Sequence, residues 1–430
     1  MAPTNDLPPA VDLLVRELAQ YTTDLKSFKK RYLSIHPELG RLANWSEYQF
    51  PYVSEGTISS GFTITPSLGL DPLSSQGKCA APSCRLLTAK QIARTVGIYA
   101  DVAIIPDRIS PSLLHQRRVN SDYLEWLLIA TRIISELRPL FAEGIFRFNK
   151  PGLHLCKIHY REFTSEVDQI TEDVFESIRP YLTFSVEGNF LRIADTELHS
   201  APLNFSHKLT PLERQQLIKG VPLETIGRRS YVKTLREEIS EAMMSLRKAS
   251  DVHGVSFSDS RVAMLAARQA EQRNSVIRDV ERWEVSRSAV IPWIRELTIE
   301  QVVALRREAD KALPRFRESI AKALRSKDVN VQVQVIDDLR AEAAEVQAEL
   351  SALNLPGESA FRALAGSLGL TISVYGFAGE FVAPAVALGS LMTLLGLIHA
   401  STRKDHQEHE GLVSKPGYVL VKAKELAEHA

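Results

Sequence analysis

The chain has 430 residues, of which 44% are hydrophobic and 24% charged, with Lys plus Arg and Asp plus Glu at 52 each. That length predicts two or three domains, and the balanced charge removes any bulk electrostatic reason to expect nucleic acid or an acidic lipid surface as the partner. Three cysteines and a start without a basic, apolar leader argue against a disulfide framework, so the expected address is the cytoplasm, with the inner membrane as the alternative raised by an apolar tract described below.

In chain order, Val11, Leu14, Val15, Leu18, Leu25, Phe28 and Tyr32 fall near one helical face and predict a helix over 11–33, whose pattern dissolves after Pro37. Residues 50–85 are rich in Gly, Ser, Thr and Pro and predict an irregular excursion or short strands. A short helix through Gln91, Ile92 and Val96 leads into Val102-Ala103-Ile104-Ile105, an apolar run closed by Pro106 that reads as a strand buried on both faces. Ser121–Arg138 predicts a strong helix, Ile145–Phe148 a strand, and Glu162–Ile178 a further helix. Phe184–Val186 and Phe190–Ile193 flank Glu187-Gly188-Asn189 as a hairpin.

From Thr210 onward the expectation is nearly all helix. Thr210-Pro211-Leu212-Glu213 and Thr298-Ile299-Glu300-Gln301 carry capping-box spacing, and residues 329–353 favour helix over strand. The composition shift near 205 is the expected domain boundary. The predicted fold class is mainly α: an N-terminal α/β (α+β) domain over 1–205, a recognition module, then an all-helical domain over 206–430 with an apolar helical hairpin at 363–402.

The hairpin expectation rests on Ala363–Thr402, where Glu380 is the only charged residue. Each half is near the lower length limit for spanning a bilayer, and Gly376, Gly379 and Pro384 suit a tip between them. Leu370, Phe381, Val386, Leu391, Leu394, Leu395 and Ile398 are the candidate membrane or partner contacts. The competing reading makes the same tract the core of the C-terminal domain, and on length alone that reading is preferred.

Candidate chemistry is sparse. Cys79, Cys84, Cys156 and His159, with His154 in reserve, offer the ligand types of a four-coordinate zinc site, although free cysteines are more often small buried hydrophobes. Asp101 and Asp107 bracket the apolar strand, and carboxylates at strand ends can hold Mg²⁺ in a nuclease-like hydrolase; capping of neighbouring turns is the plainer role. Phosphate-binding, dinucleotide, zinc-protease and serine-hydrolase motifs are absent. Arg228-Arg229 with Lys233, and Arg306-Arg307 with Arg315 and Arg317, are interleaved with acids and read as solvated helix faces, leaving nucleic-acid binding unsupported.

Ile98–Asp107 followed by Pro139–Ile145, and Ile291-Pro292-Trp293-Ile294 followed by Leu297–Glu300, Leu305-Arg306-Arg307 and Phe316-Arg317, resemble segments of uncharacterised bacterial proteins, some carried among mobile and phage-defence genes. The resemblance covers a small part of the chain and implies a bacterial, accessory, antiviral setting without a reaction or an active residue. The leading expectation is therefore a non-enzymatic bacterial protein that binds a protein partner and acts at a membrane through its hairpin. A metal-dependent hydrolase using Asp101 and Asp107, and a cytosolic helical scaffold, are the alternatives.

Overall fold

The computed structural model describes residues 7–53, 62–67, 70–74, 81–115, 119–150, 156–195, 205–258, 260–273, 282–284, 297–325, 329–353 and 411–428. The chain is mainly α, with α/β elements toward its N-terminus, and it divides into two compact units. One comprises Met1–Arg287 with Thr298–Val303, the other Ser288–Leu297 with Ala304–Ala430.

The first unit opens with α1 (Pro9–Leu18) and α2 (Leu25–Gln49) rather than one continuous helix. Between them, a 3₁₀ turn at Ala19–Tyr21 leads to Asp24, whose carboxylate accepts from the Lys26 and Ser27 amides at 3.0 and 3.1 Å and starts α2 afresh. Helix α2 then runs through Pro37, where the sequence pattern dissolves. An interior proline costs ~3 kcal/mol, but α2 fully buries Phe28, Tyr32, Leu39 and Ala43, and each large apolar side chain returns about 1.5–3 kcal/mol.

The strands follow as β1 (Thr63–Pro66), β2 (Val102–Pro106), β3 (Phe146–Asn149), β4 (Leu182–Glu187), β5 (Phe190–Asp195), β6 (Phe205–Lys208), β7 (Val255–Ser258) and β8 (Arg282–Glu284). Between and after them lie α3 (Pro82–Tyr99), α4 (Ile109–His115), α5 (Ser121–Ala142), α6 (Lys157–Ile178), α7 (Pro211–Ile218), α8 (Leu223–Asp251), α9 (Arg261–Arg273) and α10 (Ile299–Glu308). The predicted strand at β2, the strand at β3, the β4–β5 hairpin turning at Gly188 (φ +60°), and the helices α5 and α6 all form. Both capping boxes close as well: Thr210 exchanges bonds with Glu213, and Thr298 with Gln301.

Five strands make a parallel sheet in the order β3-β2-β1-β7-β8, with Ile64 opposite both Ala103 and Val255 in the central pairings. The chain walks outward from β1 to β3, then returns past β1 to add β7 and β8 on the other side. Parallel neighbours need crossovers, and right-handed crossovers place α3 and α5 on one face and α8 and α9 on the other. The packing agrees, with α3 against α5, and α8 against α9, β1 and β7. This is a doubly wound arrangement whose order reverses between β1 and β7.

The excursion between β3 and β7 carries α6 and the antiparallel sheet β4-β5-β6. Phe163, Val167, Ile170, Val174 and Ile178 of α6 form a core with Tyr231, Leu235, Ile239 and Met243 of α8. Where α8 meets the antiparallel sheet, Gly227 leaves room for Leu191 and Phe184, which a Cβ would approach to 2.9 Å. The boundary expected at 205 therefore falls inside the first unit, because β7 and β8 complete the sheet that β1–β3 begin. In the second unit α11 (Leu313–Arg325) and α13 (Gly417–Glu428) both pack on α12 (Val329–Leu353), the segment where helix was favoured over strand.

Candidate functional site

In a doubly wound sheet, ligands bind in the crevice beyond the carboxyl ends of the strands near the order reversal. The segments leaving those ends here carry Ser67 and Asp71 after β1, Asp107 and Arg108 after β2, and Lys150 after β3. Helix α8 is fastened beside β1 by Ser245, whose Oγ donates to the Thr65 carbonyl at 3.2 Å. That contact brings Glu241 and Lys248, one turn on either side of Ser245, to the same region.

Asp71 and Glu241 converge on Arg108. The Arg108 guanidinium donates to Asp71 Oδ2 from Nε at 3.0 Å and lies against Glu241 Oε1 through its terminal nitrogen. Asp71 is fully buried, and its Oδ1 also accepts from the Leu73 amide at 2.9 Å, folding the loop after β1 around the ion pair. The two carboxylates hold the Arg108 guanidinium firmly protonated against its burial.

Lys248 meets no carboxylate among the described residues. Its Nζ donates to the Lys150 carbonyl at 3.1 Å, and the Asn149 amide oxygen accepts from it at 3.3 Å while the amide nitrogen donates to the Ile105 carbonyl. Burial, followed by the positive charge of Arg108, pushes the Lys248 ammonium down to about 8. On the other helical layer, Arg85 in the first turn of α3 is 6% exposed, and its Nε has no hydrogen-bond partner. Its terminal nitrogen reaches the Leu73 and Ser74 carbonyls only at 3.5 Å. Burial lowers the Arg85 guanidinium, and the charge of Asp71 opposes that.

Asp101 and Asp107, the carboxylates of the hydrolase alternative, stand at opposite ends of β2. A five-residue strand spans roughly 15 Å, so one ion does not bridge them. Asp101 Oδ2 accepts from the Phe62 amide at 2.6 Å at the amino end. Asp107 is fully buried and caps α4, with Oδ1 accepting from the Ile109 and Ser110 amides at 3.0 Å and Oδ2 from the Tyr52 hydroxyl at 2.7 Å. Burial raises its carboxyl above the usual carboxylate range against those hydrogen bonds. Asp107 does the capping work that was the plainer expectation, whereas Asp101 bonds the backbone that leads into β1.

Of the zinc set, Cys84 is exposed in the first turn of α3, and exposed Cys156 precedes α6 with its Sγ 3.4 Å from His159 Nδ1. Cys79 and His154 lie outside the described residues, among which no group of three or more His, Cys, Asp or Glu is placed to hold a metal ion. The apolar tract with Leu370, Phe381, Val386, Leu391, Leu394, Leu395 and Ile398 also lies outside them. Among the described residues no helix is long and apolar enough to cross a membrane. A shallow polar cleft on α6 and α9 is lined by Asp168, Glu172 and Asp173, each engaged by an arginine (Arg236, Arg228 and Arg273), which makes it an ion-paired surface.

Sequence reasoning passed over the crevice residues because Asp71 and Arg108 sit in loops and Glu241 and Lys248 in a long helix. One signal was available: Glu241, Ser245 and Lys248 recur at helical spacing beside the buried Ala242, Met243, Leu246 and Ala249. Comparison of the chain with protein-family models, curated proteins and solved structures gives no match.

Proposed function

We propose that the first unit is a small-molecule-binding module whose ligand occupies the crevice beyond the carboxyl ends of β1, β2 and β7. One observation carries this reading: the strand order reverses between β1 and β7, and beside that reversal a polar cluster of Asp71, Arg108, Glu241 and Lys248, built around the buried Asp71, joins the loops after β1 and β2 to α8. A polar cluster of this kind is expensive in a core that serves only stability, since well-packed apolar residues of similar volume do as well or better. Concave sites with a few convergent polar groups are the usual places for small ligands. Hydrogen-exchange mass spectrometry against a panel of nucleotides and central metabolites tests it. A binder should slow exchange in 67–74, 107–115 and 238–250, and Arg108→Gln should weaken its binding by about tenfold or more, the usual cost of losing a charge-assisted bond. Protection confined to other segments counts against the crevice.

A second reading concerns the C-terminal tract and rests on its composition: a single charge between Ala363 and Thr402. In this reading the protein is a bacterial defence component that binds a partner and acts at a membrane once that surface is exposed. Flotation with anionic and neutral liposomes should carry the full chain upward and leave a folded variant lacking 363–402 behind. Equal behaviour of the two proteins would assign the tract to a core.

A further inference from the structure

The crevice holds two cationic donors, Arg85 and Lys248, that meet only neutral oxygens. Arg108 is matched by Asp71 and Glu241, whereas Arg85 and Lys248 make no ion pair among the described residues, although Asp71 reaches both electrostatically and Asp251 and Glu241 also reach Lys248. Arg85 is the more telling of the pair. A guanidinium carries five donor hydrogens in a rigid fork, and this one, nine-tenths buried, leaves its Nε without an acceptor and meets two carbonyls only at 3.5 Å. It also projects from the first turn of an 18-residue helix, where the helix dipole already places positive potential. Buried charges in folded proteins are paired or bound to a counter-ion, because leaving one unpaired costs several kcal/mol.

The missing partner is an acceptor-rich anion. We propose that the ligand of the crevice carries a phosphate group, held between Arg85 on the α3 side and Lys248 on the α8 side, with Arg108 kept in position by Asp71 and Glu241. The inference rests on the crevice being the binding site and adds the chemical class of its occupant. A phosphate suits the donors: its oxygens accept from the Arg85 fork and from the Lys248 ammonium together. A monocarboxylate supplies one charge and two oxygens, which cannot satisfy both groups as fully.

The experiment uses the full chain with inorganic phosphate, pyrophosphate, adenosine 5′-monophosphate and adenosine as probes. It reads thermal midpoints and hydrogen exchange for the wild type, Lys248→Met and Arg85→Met. Pyrophosphate or the monophosphate should raise the wild-type midpoint and protect 67–74 and 83–88, while adenosine should do neither. In Lys248→Met the midpoint without ligand should rise, since a desolvated cation held only by neutral oxygens is gone, and the phosphate-dependent increase should vanish. A purely structural lysine predicts the reverse, a lower midpoint and an unchanged response, and that result overturns the proposal. Arg85→Met provides the same contrast from the other helical layer. Crevice protection by adenosine equal to that by its monophosphate overturns the phosphate assignment and leaves the crevice standing. Protection by no probe, with midpoints unmoved by millimolar phosphate or pyrophosphate, overturns the phosphate assignment too, while the wider metabolite panel still decides whether the crevice binds anything.

Discussion

Single side chains in the crevice have distinguishable energetic signs. Three hydrogen bonds, to Tyr52, Ile109 and Ser110, offset part of the cost of burying Asp107, whereas Lys248 is solvated only by neutral oxygens. A lysine pushed down from 10.5 to about 8 on folding makes stability depend on pH in a defined direction. Between those values the unfolded chain binds the proton that the folded chain has released, so stability rises as pH climbs through that window. Below pH 8 the penalty of the buried ammonium is fully present. Unfolding free energies from urea titrations of the wild type and Lys248→Met, both without added ligand, should therefore converge from pH 7 to pH 10, by roughly 2 kcal/mol. A gap that stays constant over that range would show that Lys248 ionises as it does in water.

Among the elements, local propensity and tertiary packing disagree in a few instructive places. Asp24 divides the first helix because its carboxylate satisfies two amide donors that a continuing helix would have used otherwise. Pro37 fails to end α2 because the buried face continues beyond it. The packing of α13 on α12 depends on one residue with no side chain. A Cβ at Gly417 would stand 2.5 Å from the Ala343 nitrogen, and these are backbone atoms of α12 that cannot rotate away. The Gly417 amide also donates to Glu342 Oε2 at 2.9 Å, which fixes the approach. Gly417→Val should cost about 2–3 kcal/mol through overpacking. Circular dichroism in urea would register this as a lowered midpoint; an unchanged midpoint would mean that α13 does not press on α12 in solution.

At the scale of the whole molecule, the parallel sheet decides where the chain can be cut. Strand β7 pairs with β1 in the centre of the sheet, and its four residues are buried. A fragment ending at 205 leaves β1 as an exposed edge, and it strips the α6 core of the α8 residues Tyr231, Leu235, Ile239 and Met243. Such a fragment should be aggregation-prone or bind a hydrophobic dye. A fragment ending at 303 keeps the sheet and should melt cooperatively. Cooperative melting of the shorter piece would contradict the central place of β7.

The amino-acid sequence by itself determined the predominance of helix, the strand at 102–106, the β4–β5 hairpin, both capping boxes and the helical state of 329–353. Each of these rests on interactions between residues close in the chain: a periodicity, a turn glycine, or a side chain reaching its own helix end. Only the tertiary structure decided the sheet order, the extension of the first unit past 205 and the crevice itself. Residues 64 and 255 lie side by side because parallel strands pair across long crossovers, and nothing in either tetrapeptide names its neighbour. Asp71, Arg108 and Glu241 likewise come from two loops and a helix far apart in the chain. Their joint chemistry exists only after the crossovers have laid α8 against the sheet beside β1.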